Sequence, residues 1–260
     1  TGITGMVGSH LADFLIQNTS CKIHGLVRWR SNFENLNKLI PEINRSKRIF
    51  LHYGDLNDEM SIDKIIKKVK PDYIYHLAAQ SYPQTSFTEP VYTLSTNILG
   101  TLRVLEAAKK YASKANIHVC SSSEVFGRVK KDKLPINENC SFHPASPYAI
   151  SKVGTDLIGK FFFEAYGLKV QMTRMFTHTG PRRGDVFAES TFAKQIAMIE
   201  AGIIPPVIKV GNLDSLRTWS DVRDAVRAYY LLVTKDPKAG EYYNIGGSYT
   251  CSVRDMLEYL

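Results

Sequence analysis

The sequence predicts an α/β protein with a doubly wound parallel sheet and a smaller, interleaved C-terminal substrate domain. Short apolar, strand-like runs alternate with helical stretches up to Arg174, as they do in parallel sheets covered by helices. A glycine-rich turn also leads into the first amphipathic helix, which is typical of a dinucleotide-binding unit. We expect residues 1–175 to form the dinucleotide-binding domain, with parts of 205–245 returning to it. Residues 176–260 would form the substrate-binding portion, incomplete at its C-terminus.

The predicted elements follow one another in a regular order. We expect strands over residues 22–27, 48–53, 72–79, 116–120, 169–174 and 242–247. We expect helices to start near residues 9, 58, 147 and 221 and to cover residues 86–111 and 187–201. The apolar spacing within 86–111 predicts a face that packs on the core or on another subunit.

Composition and charge exclude several classes of protein. The chain has 260 residues and 44% hydrophobic content, enough for one large domain or two interlocked ones. Its net charge of +8 is spread along the sequence, without zinc-ligand spacing or a nucleic-acid-binding motif, so we expect neither a metal site nor a nucleic-acid partner. No apolar run approaches the roughly 20 residues that span a bilayer, so we expect no membrane association. The four cysteines lie far apart and predict reduced thiols in a cytoplasmic protein.

The glycine turn over residues 1–8 is the first candidate site. Glycines permit a tight turn and let the backbone approach a pyrophosphate, while the following helix offers N–H donors. An ordinary glycine loop is the alternative interpretation. After the next strand, a carboxylate would bind the ribose diol of NAD, but Val27 stands there and Arg28 follows. A guanidinium favours a 2′-phosphate, so NADP is preferred over NAD, unless Arg28 is merely a solvated loop charge.

Two later segments extend the predicted cofactor site. Asp55 and Leu56 follow a strand and could accept from an adenine amine and cover its ring, although Asp55 could instead cap the helix near Asp58. The small residues after residue 76 would let the backbone lie against the ribose and pyrophosphate of a dinucleotide. His76 itself lies within an apolar run, and we expect it to be a hydrogen-bonded core histidine.

The segment after the strand at 116–120 carries the first candidate catalytic groups. Ser122, Ser123 and Glu124 follow the carboxyl end of that strand, where open α/β sheets bind their ligands. Hydroxyls and a carboxylate at this edge are suited to proton transfer. A serine-rich turn without a catalytic role is the alternative.

Tyr148 and Lys152 form the second candidate catalytic group. Pro147 suits the first turn of a helix, and residues four apart share one helix face. An ammonium beside a phenol favours the phenolate, and a nearby oxidised nicotinamide would favour it further. These effects would make a group with an unperturbed pKa of roughly 10 usable as a base near neutrality. The alternative is a half-buried helix with one surface lysine.

Three arginines stand on turn-rich segments in the last third of the chain. Arg182, Arg183 and Arg217 could each offer paired N–H groups to a diphosphate. Surface solvation explains any one of them alone.

These pieces together resemble the extended short-chain dehydrogenase/reductase family, whose dinucleotide-binding part has the Rossmann fold. The resemblance rests on the pattern TGxxGxxG at residues 1–8, on Asp55-Leu56, on residues 76–79, on Ser122 before Tyr148 and Lys152, and on residues 221–224 and 243–247. Within that family the sequence is most similar to the GDP-mannose 4,6-dehydratases. The similar segments are residues 86–92, 122–127, 181–184 and 211–217.

The resemblance implies a role for each matched residue. Ser122 would hydrogen-bond the sugar O4, Glu124 would be the acid/base carboxylate, Tyr148 the base at O4, and Lys152 the partner of the nicotinamide ribose. Contacts to NADP would come from Gly2, Ile3, Thr4, Gly5, Met6, Val7, Arg28, Asp55, Leu56, Leu77, Ala78, Ala79, Gln80, Ser81, Tyr92, Tyr148, Lys152, His178 and Arg183. Contacts to a GDP-sugar would come from Ser81, Ser122, Ser123, Thr177, Arg182 and Arg217.

The implied activity is a 4,6-dehydration of GDP-mannose or a close GDP-sugar, by internal hydride transfer from C4 to C6. A GDP-4-keto-6-deoxymannose reductase, or an epimerase or C4 oxidase of the same family, is the alternative. A non-catalytic dinucleotide-sensing scaffold would need the glycine turn but not Ser122, Tyr148 and Lys152. The loop from Arg28 resembles one that reaches the cofactor of a neighbouring subunit, which implies a homodimer or homotetramer. Thr177 stands where the family usually has Asn, and Thr191 where it has a Lys near the guanine site.

Overall fold

Three small sheets form the framework of the protein. In the computed structural model, which describes residues 1–44 and 48–260, strands β1 and β2 pair in parallel, and β3, β4, β5 and β8 form a parallel four-stranded sheet in that order. A third sheet has the order β6-β7-β9, with β7 and β9 antiparallel. The strands are β1 Ile23–Val27, β2 Ile49–Tyr53, β3 Tyr73–His76, β4 Asn116–Cys120, β5 Lys169–Met175, β6 His178–Thr179, β7 Leu216–Asp221, β8 Tyr242–Ile245 and β9 Tyr249–Ser252.

Helices cover the parallel strands on both sides. The α-helices are α1 Met6–Asn18, α2 Ile40–Asn44, α3 Glu59–Val69, α4 Pro83–Thr88, α5 Pro90–Leu94, α6 Gly100–Tyr111, α7 Pro147–Tyr166, α8 Ala188–Glu200, α9 Val222–Thr234 and α10 Val253–Glu258. Short 3₁₀ turns lie at Glu34–Leu39, Ser123–Phe126 and Lys131–Lys133. The predicted α/β fold with a parallel sheet is confirmed.

The two faces of the main sheet are buried by different helices. On one face, apolar residues of α3, α6 and α7 meet the side chains of Ile117, Val119 and Val170. On the other face, Tyr229 and Val226 of α9 pack with α1 and with the far ends of the strands. Apolar and polar residues alternate along β4 and β5, and both kinds are buried because helices cover both faces of the sheet. The buried polar residues include His118, Gln171 and Thr173.

The predicted helix over residues 86–111 is broken into four pieces. Glu89, which precedes Pro90, has φ −128° and ψ 58°, because a following proline disfavours the helical region. Pro90 then starts the next helix, and Ser95–Leu99 forms a π-helical turn before α6 begins at Gly100. Most of the stretch is therefore helical, as predicted, but the break at Glu89 was not predicted.

The chain returns to the main sheet near its end. Strand β8 pairs in parallel with β5, so residues 242–245 extend the sheet that carries β3 and β4. The third sheet, with α8 and α10, forms the remainder of the C-terminal part. The predicted limits of the two domains stay a prediction.

Three further sequence-based expectations concern membrane-spanning helices, metal sites and the state of the cysteines. Across residues 1–44 and 48–260, no helix combines the length and apolar character needed to cross a bilayer. Within the same residues, no cluster of three or more metal-ligating side chains of His, Cys, Asp or Glu is present. The four cysteines are free thiols, as the sequence predicted.

Candidate active site

A cavity of about 990 Å³ lies at the carboxyl ends of the parallel strands. Its walls come from the glycine turn, the segments after β2, β3 and β4, the start of α7, and residues 175–192 after β5. Residues of the 211–219 segment close the remaining side. This is the edge of an open α/β sheet at which ligands bind.

Among the predicted cofactor and substrate residues, Ile3 alone does not line this cavity. Ile3 is buried and packs with Val27 and Ile49 in the core beneath the glycine turn. The prediction that Ile3 lines the cofactor site is therefore not met, because its apolar side chain is buried in the core.

The glycine turn provides close approach to the backbone. Gly2 has φ +75°, and a Cβ there would lie 2.9 Å from the Ala78 nitrogen. A Cβ at Gly8 would lie 2.1 Å from the Gly2 oxygen, so both positions require glycine. Gly5, at the start of α1, makes no side-chain cap, which leaves the N-terminal N–H groups of the helix without a side-chain partner. The residues present therefore fit the pyrophosphate of a dinucleotide.

The end of β1 forms a polar corner of the cavity. The Arg28 Nη1 donates to the Tyr92 hydroxyl at 3.3 Å, and the Arg28 N–H donates to Ser31 Oγ at 3.0 Å. Asn35 Nδ2 donates to the Thr4 carbonyl at 2.9 Å, which joins this corner to the glycine turn. Sequence reasoning missed Ser31 and Asn35, although both are polar and follow Arg28 closely.

Asp55 does not cap helix α3. Its Oδ1 accepts from the Asn57 N–H at 2.8 Å, whereas the cap of α3 is Asp58, which accepts from Met60. Asp55 and Leu56 both line the cavity. Of the two predicted roles of Asp55, contact with an adenine is compatible with this position and capping of α3 is not.

His76 is a core histidine, as predicted. Its Nδ1 lies 3.1 Å from Thr1 Oγ1, and its Nε2 lies 3.0 Å from Thr101 Oγ1. Burial holds its pKa well below the usual value, so the ring is neutral and its hydrogen bonds join β3 to α6.

The candidate catalytic residues meet at the start of α7. Ser146 caps this helix by accepting from the Ala149 N–H at 3.0 Å, and Pro147 occupies its first turn. Tyr148 and Lys152 are only 8% and 5% exposed, and both line the cavity. The Ser122 hydroxyl accepts from the Glu124 N–H at 3.2 Å, which places this pair on the adjoining wall.

Lys152 is bound to the backbone rather than to the phenol. Its Nζ donates to the Cys120 carbonyl at 2.8 Å and lies 6.0 Å from the centroid of the Tyr148 ring. Burial raises the pKa of Tyr148, and hydrogen bonding with Ser122 and the charge of Arg183 lower it to a smaller extent. Lys152 is not among the groups that shift this pKa, and burial outweighs the groups that lower it, so the protein by itself does not bring the phenol towards neutrality. The further effect of an oxidised nicotinamide stays a prediction.

Asn97 is a structural partner of the site that sequence reasoning did not assign. Its side chain accepts from the Gln80 N–H at 2.8 Å and donates to the Gln80 carbonyl at 3.0 Å and to Ser151 Oγ at 2.8 Å. The π-helical turn that contains Asn97 thus ties the segment after β3 to α7. The available signal was a polar residue interrupting an apolar helical pattern.

The predicted arginines occupy different walls. Arg182 pairs with Asp13 of α1 at 2.7 Å, and its carbonyl accepts from Asn35, so it lies beside the glycine turn. Arg183 contacts Glu189 and donates to the His178 carbonyl at 2.9 Å. The other predicted residues of this part, Thr177, His178 and Arg217, also line the cavity.

The comparisons with known proteins decide the family. The sequence profile of the family described as GDP-mannose 4,6 dehydratase matches residues 1–259. The chain belongs to the GDP-mannose 4,6-dehydratase family. It is 37% identical over 265 residues to GDP-mannose 4,6 dehydratase of Homo sapiens, covering 99% of this chain and 69% of that protein. It is 36% identical over 243 residues to GDP-mannose 4,6-dehydratase of Yersinia enterocolitica, covering 91% of this chain and 64% of that protein.

The chain spans about two thirds of the length of these dehydratases. Among solved structures it is similar to RMD from Pseudomonas aeruginosa complexed with NADPH, with a TM-score of 0.82 and 30% identity. That match covers 99% of this chain and 78% of the other. It is also similar to a double mutant of DesIV, a dTDP-glucose 4,6-dehydratase from Streptomyces venezuelae with NAD and DAU bound, with a TM-score of 0.86, 25% identity and coverage of 99% and 78%.

These findings confirm the family and the fold that the sequence predicted. The matched relatives are named as nucleotide-sugar dehydratases, in agreement with the predicted activity. Because the similar structures hold NADPH or NAD, a nicotinamide dinucleotide is the supported cofactor class.

Proposed function

We propose that the chain converts GDP-mannose, or a close GDP-sugar, to the 4-keto-6-deoxy sugar without net oxidation. One observation carries the proposal: Ser122, Glu124, Tyr148 and Lys152 line the same cavity as the glycine turn. A non-catalytic dinucleotide sensor has no need of these four groups beside its cofactor site.

The glycine turn and the residues after β2 and β3 would hold the dinucleotide, and Lys152 the nicotinamide ribose. An oxidised nicotinamide, if bound, would place a positive charge beside the phenol and would provide the acceptor for the C4 hydride of the sugar and the donor of the hydride to C6. Tyr148 takes the proton from the O4 hydroxyl, and Ser122 orients that oxygen by a hydrogen bond. The product of this first step is a ketone at C4.

Glu124 performs the elimination. The C4 ketone makes the C5 hydrogen acidic, and Glu124 removes that proton while the C6 hydroxyl departs as water. Ser123 stands where many nucleotide-sugar dehydratases have Asp, so Glu124 has to serve both proton transfers: it protonates the departing hydroxyl with the proton taken from C5. C5 regains a proton when C6 receives the hydride, and the proton that Tyr148 has held since the first step balances this uptake. Glu124 lines the cavity and is exposed, so its carboxylate is accessible to a sugar bound there.

NADP is the proposed form of the cofactor. Support comes from the corner after β1, where Arg28 lines the cavity and hydrogen-bonds Tyr92, and where Val27 replaces a ribose-binding carboxylate. The Ser31 hydroxyl adds a further donor to the same corner. A 2′-phosphate would be bound by such donors, whereas a carboxylate would repel it.

A homodimer or homotetramer is the proposed assembly. Helix α7 exposes Ile150, Leu157 and Phe161. Leu157 and Phe161 follow Ile150 by seven and eleven residues, so the three side chains share one helix face. The neighbouring α5 exposes Val91. A second copy covering these side chains would remove them from water, and light scattering of the purified protein tests this.

The free thiols support the predicted cytoplasmic location.

The activity is tested by mass spectrometry of GDP-mannose incubated with the protein and NADP⁺. The expected product has lost one water, with no net consumption of NADP⁺ or formation of NADPH. A GDP-4-keto-6-deoxymannose reductase would leave GDP-mannose unchanged and would act only on the keto sugar with NADPH. That result would replace the dehydratase proposal with the alternative.

A further inference from the structure

The wall of the cavity formed by residues 175–192 contains a partly buried ion pair. Arg183 Nε contacts Glu189 Oε1, and the two side chains are 15% and 11% exposed. Glu189 lies in the first turn of α8, whose dipole favours a carboxylate there. Both residues line the candidate active-site cavity.

The contact is electrostatic rather than a well-directed hydrogen bond. Arg183 Nε and Glu189 Oε1 are both buried without a hydrogen-bond partner, although they touch. Arg183 uses Nη1 for the His178 carbonyl, and its guanidinium lies 4.0 Å from the centroid of the Phe187 ring. A buried ion pair with poor geometry recovers little of the cost of desolvating its charges.

A diphosphate is a stronger partner for this guanidinium than Glu189 is. Its oxygens can accept two parallel N–H groups, and it carries more negative charge than one carboxylate. Glu189 and a diphosphate in the cavity would also repel each other. A guanidinium has two edges that offer paired N–H groups. Arg183 uses Nη1, on one edge, for the His178 carbonyl, and its Nε, on the other edge, contacts Glu189. A diphosphate that takes a paired contact at the Nε edge therefore competes with Glu189 for it.

We propose that Glu189 is a competitor built into the site, which occupies Arg183 until a diphosphate displaces it. Glu189 therefore weakens ligand binding and selects for ligands whose diphosphate can exchange with it. The ligands are the GDP-sugar and NADP, each of which carries a diphosphate, and their identity rests on the proposed function. It assigns no role in chemistry to Glu189, which acts through Arg183.

Removing the Glu189 charge tests the proposal. The substitution Glu189→Gln keeps the size of the side chain, and Asp185→Asn is the matched control. Asp185 is an exposed carboxylate four residues earlier that pairs with Lys194 at 2.7 Å. Dissociation constants of GDP, NADP⁺, inorganic pyrophosphate and guanosine are measured by calorimetry for the wild type and both variants, with melting temperatures as a check of folding.

We expect Glu189→Gln to tighten binding of pyrophosphate and of GDP, NADP⁺ or both by at least about fivefold, a typical coupling between interacting sites. The ligand whose affinity increases, GDP or NADP⁺, identifies the diphosphate that Arg183 binds. Guanosine binding and the Asp185→Asn variant should stay within about twofold of the wild type.

Unchanged or weaker binding of all three phosphates by Glu189→Gln would overturn the inference, since Glu189 would then position Arg183. An equal gain in affinity in Asp185→Asn would also overturn the inference, because removal of any nearby negative charge would then tighten phosphate binding. Pyrophosphate separates this failure from failure of the proposed function: it tests the exchange even if the chain does not act on GDP-mannose.

Discussion

The guanidinium of Arg174 and the carboxylate of Asp156 form a buried ion pair, 2.8 Å apart, with side chains only 4% and 0% exposed. Arg174 also donates to the Glu138 carbonyl at 2.7 Å and lies 4.2 Å from the centroid of the Tyr242 ring. Asp156 stands one helical turn after Lys152 on α7. The pair therefore joins the helix of the candidate catalytic residues to β5, β8 and the loop before α7.

Breaking this ion pair should destabilise the protein strongly. Arg174→Met leaves the Asp156 carboxylate buried without its partner, which costs on the order of 3–5 kcal/mol of unfolding free energy. Urea denaturation measures the loss. The matched substitution Arg223→Met, at an exposed ion pair with Asp221, should leave the urea midpoint unchanged. Equal effects of the two substitutions would contradict the assigned role of the buried pair.

Glu124→Gln should abolish elimination and leave cofactor binding intact. Gln cannot accept the C5 proton, so product formation should fall by about 10²–10⁴-fold, the usual contribution of a general base. Glu124 is exposed and makes no ion pair among the salt bridges of the described residues, so the fold should not change. Mass spectrometry of the product and titration with NADP⁺ measure the two effects. Normal formation of the 4-keto product would refute the assignment.

The pH dependence of kcat/KM should report the pKa of Tyr148 and the effect of Ser122 on it. Burial raises the pKa of Tyr148, so the phenolate fraction grows with pH and kcat/KM should rise into the alkaline range. Ser122→Ala removes a hydrogen bond that lowers this pKa, so the rising limb should move to higher pH. Ser123→Ala is the neighbouring control and should leave the position of the limb unchanged. A limb that stays in place in Ser122→Ala would count against Tyr148 as the base.

Arg28→Ala should weaken NADP⁺ binding selectively. Loss of one charge-assisted contact to the 2′-phosphate predicts a decrease of about tenfold or more in affinity, whereas NAD⁺ binding should change little. Arg30→Ala is the control, since Arg30 is exposed and does not line the cavity. Fluorescence titration with both dinucleotides measures the preference. An equal loss for NAD⁺ would show that Arg28 does not read the 2′-phosphate.

The protein should lose stability in mild acid through its buried histidines. Burial lowers the pKa of His118 to about 3 and that of His178 to about 4. Between these values and the unperturbed 6.5, the unfolded chain binds protons that the folded chain does not, so stability present above pH 6.5 is lost as pH falls towards 3. The urea midpoint should therefore decrease from pH 7 to pH 4.

His118→Asn should flatten this pH dependence, even if it lowers stability at pH 7. The substitution His143→Gln, at an exposed position, should leave the slope unchanged. A slope that is the same in His118→Asn and in the wild type would assign the acid sensitivity to other groups, such as carboxylates in ion pairs.

The regular elements could be predicted because they depend on neighbouring residues. Ser146, Pro147 and the four-residue spacing from Tyr148 to Lys152 define the start and one face of α7 without reference to the rest of the chain. The same local chemistry predicts the glycine turn, where Gly2 has a positive φ and the backbone of Gly2 leaves no room for a Cβ at Gly8. The break at Glu89 was missed, although Pro90 was a local signal for it.

The sequence by itself determined the alternation of strands and helices, the family motifs and the edge of the sheet at which they meet. Only the tertiary structure decided which groups touch: Lys152 with the Cys120 carbonyl, Asn97 with Gln80, and Arg183 with Glu189. Such choices depend on how the elements cross and on how deeply each side chain is buried. Desolvation is the clearest case, since it raises the pKa of Tyr148 against the direction that its lysine neighbour suggests.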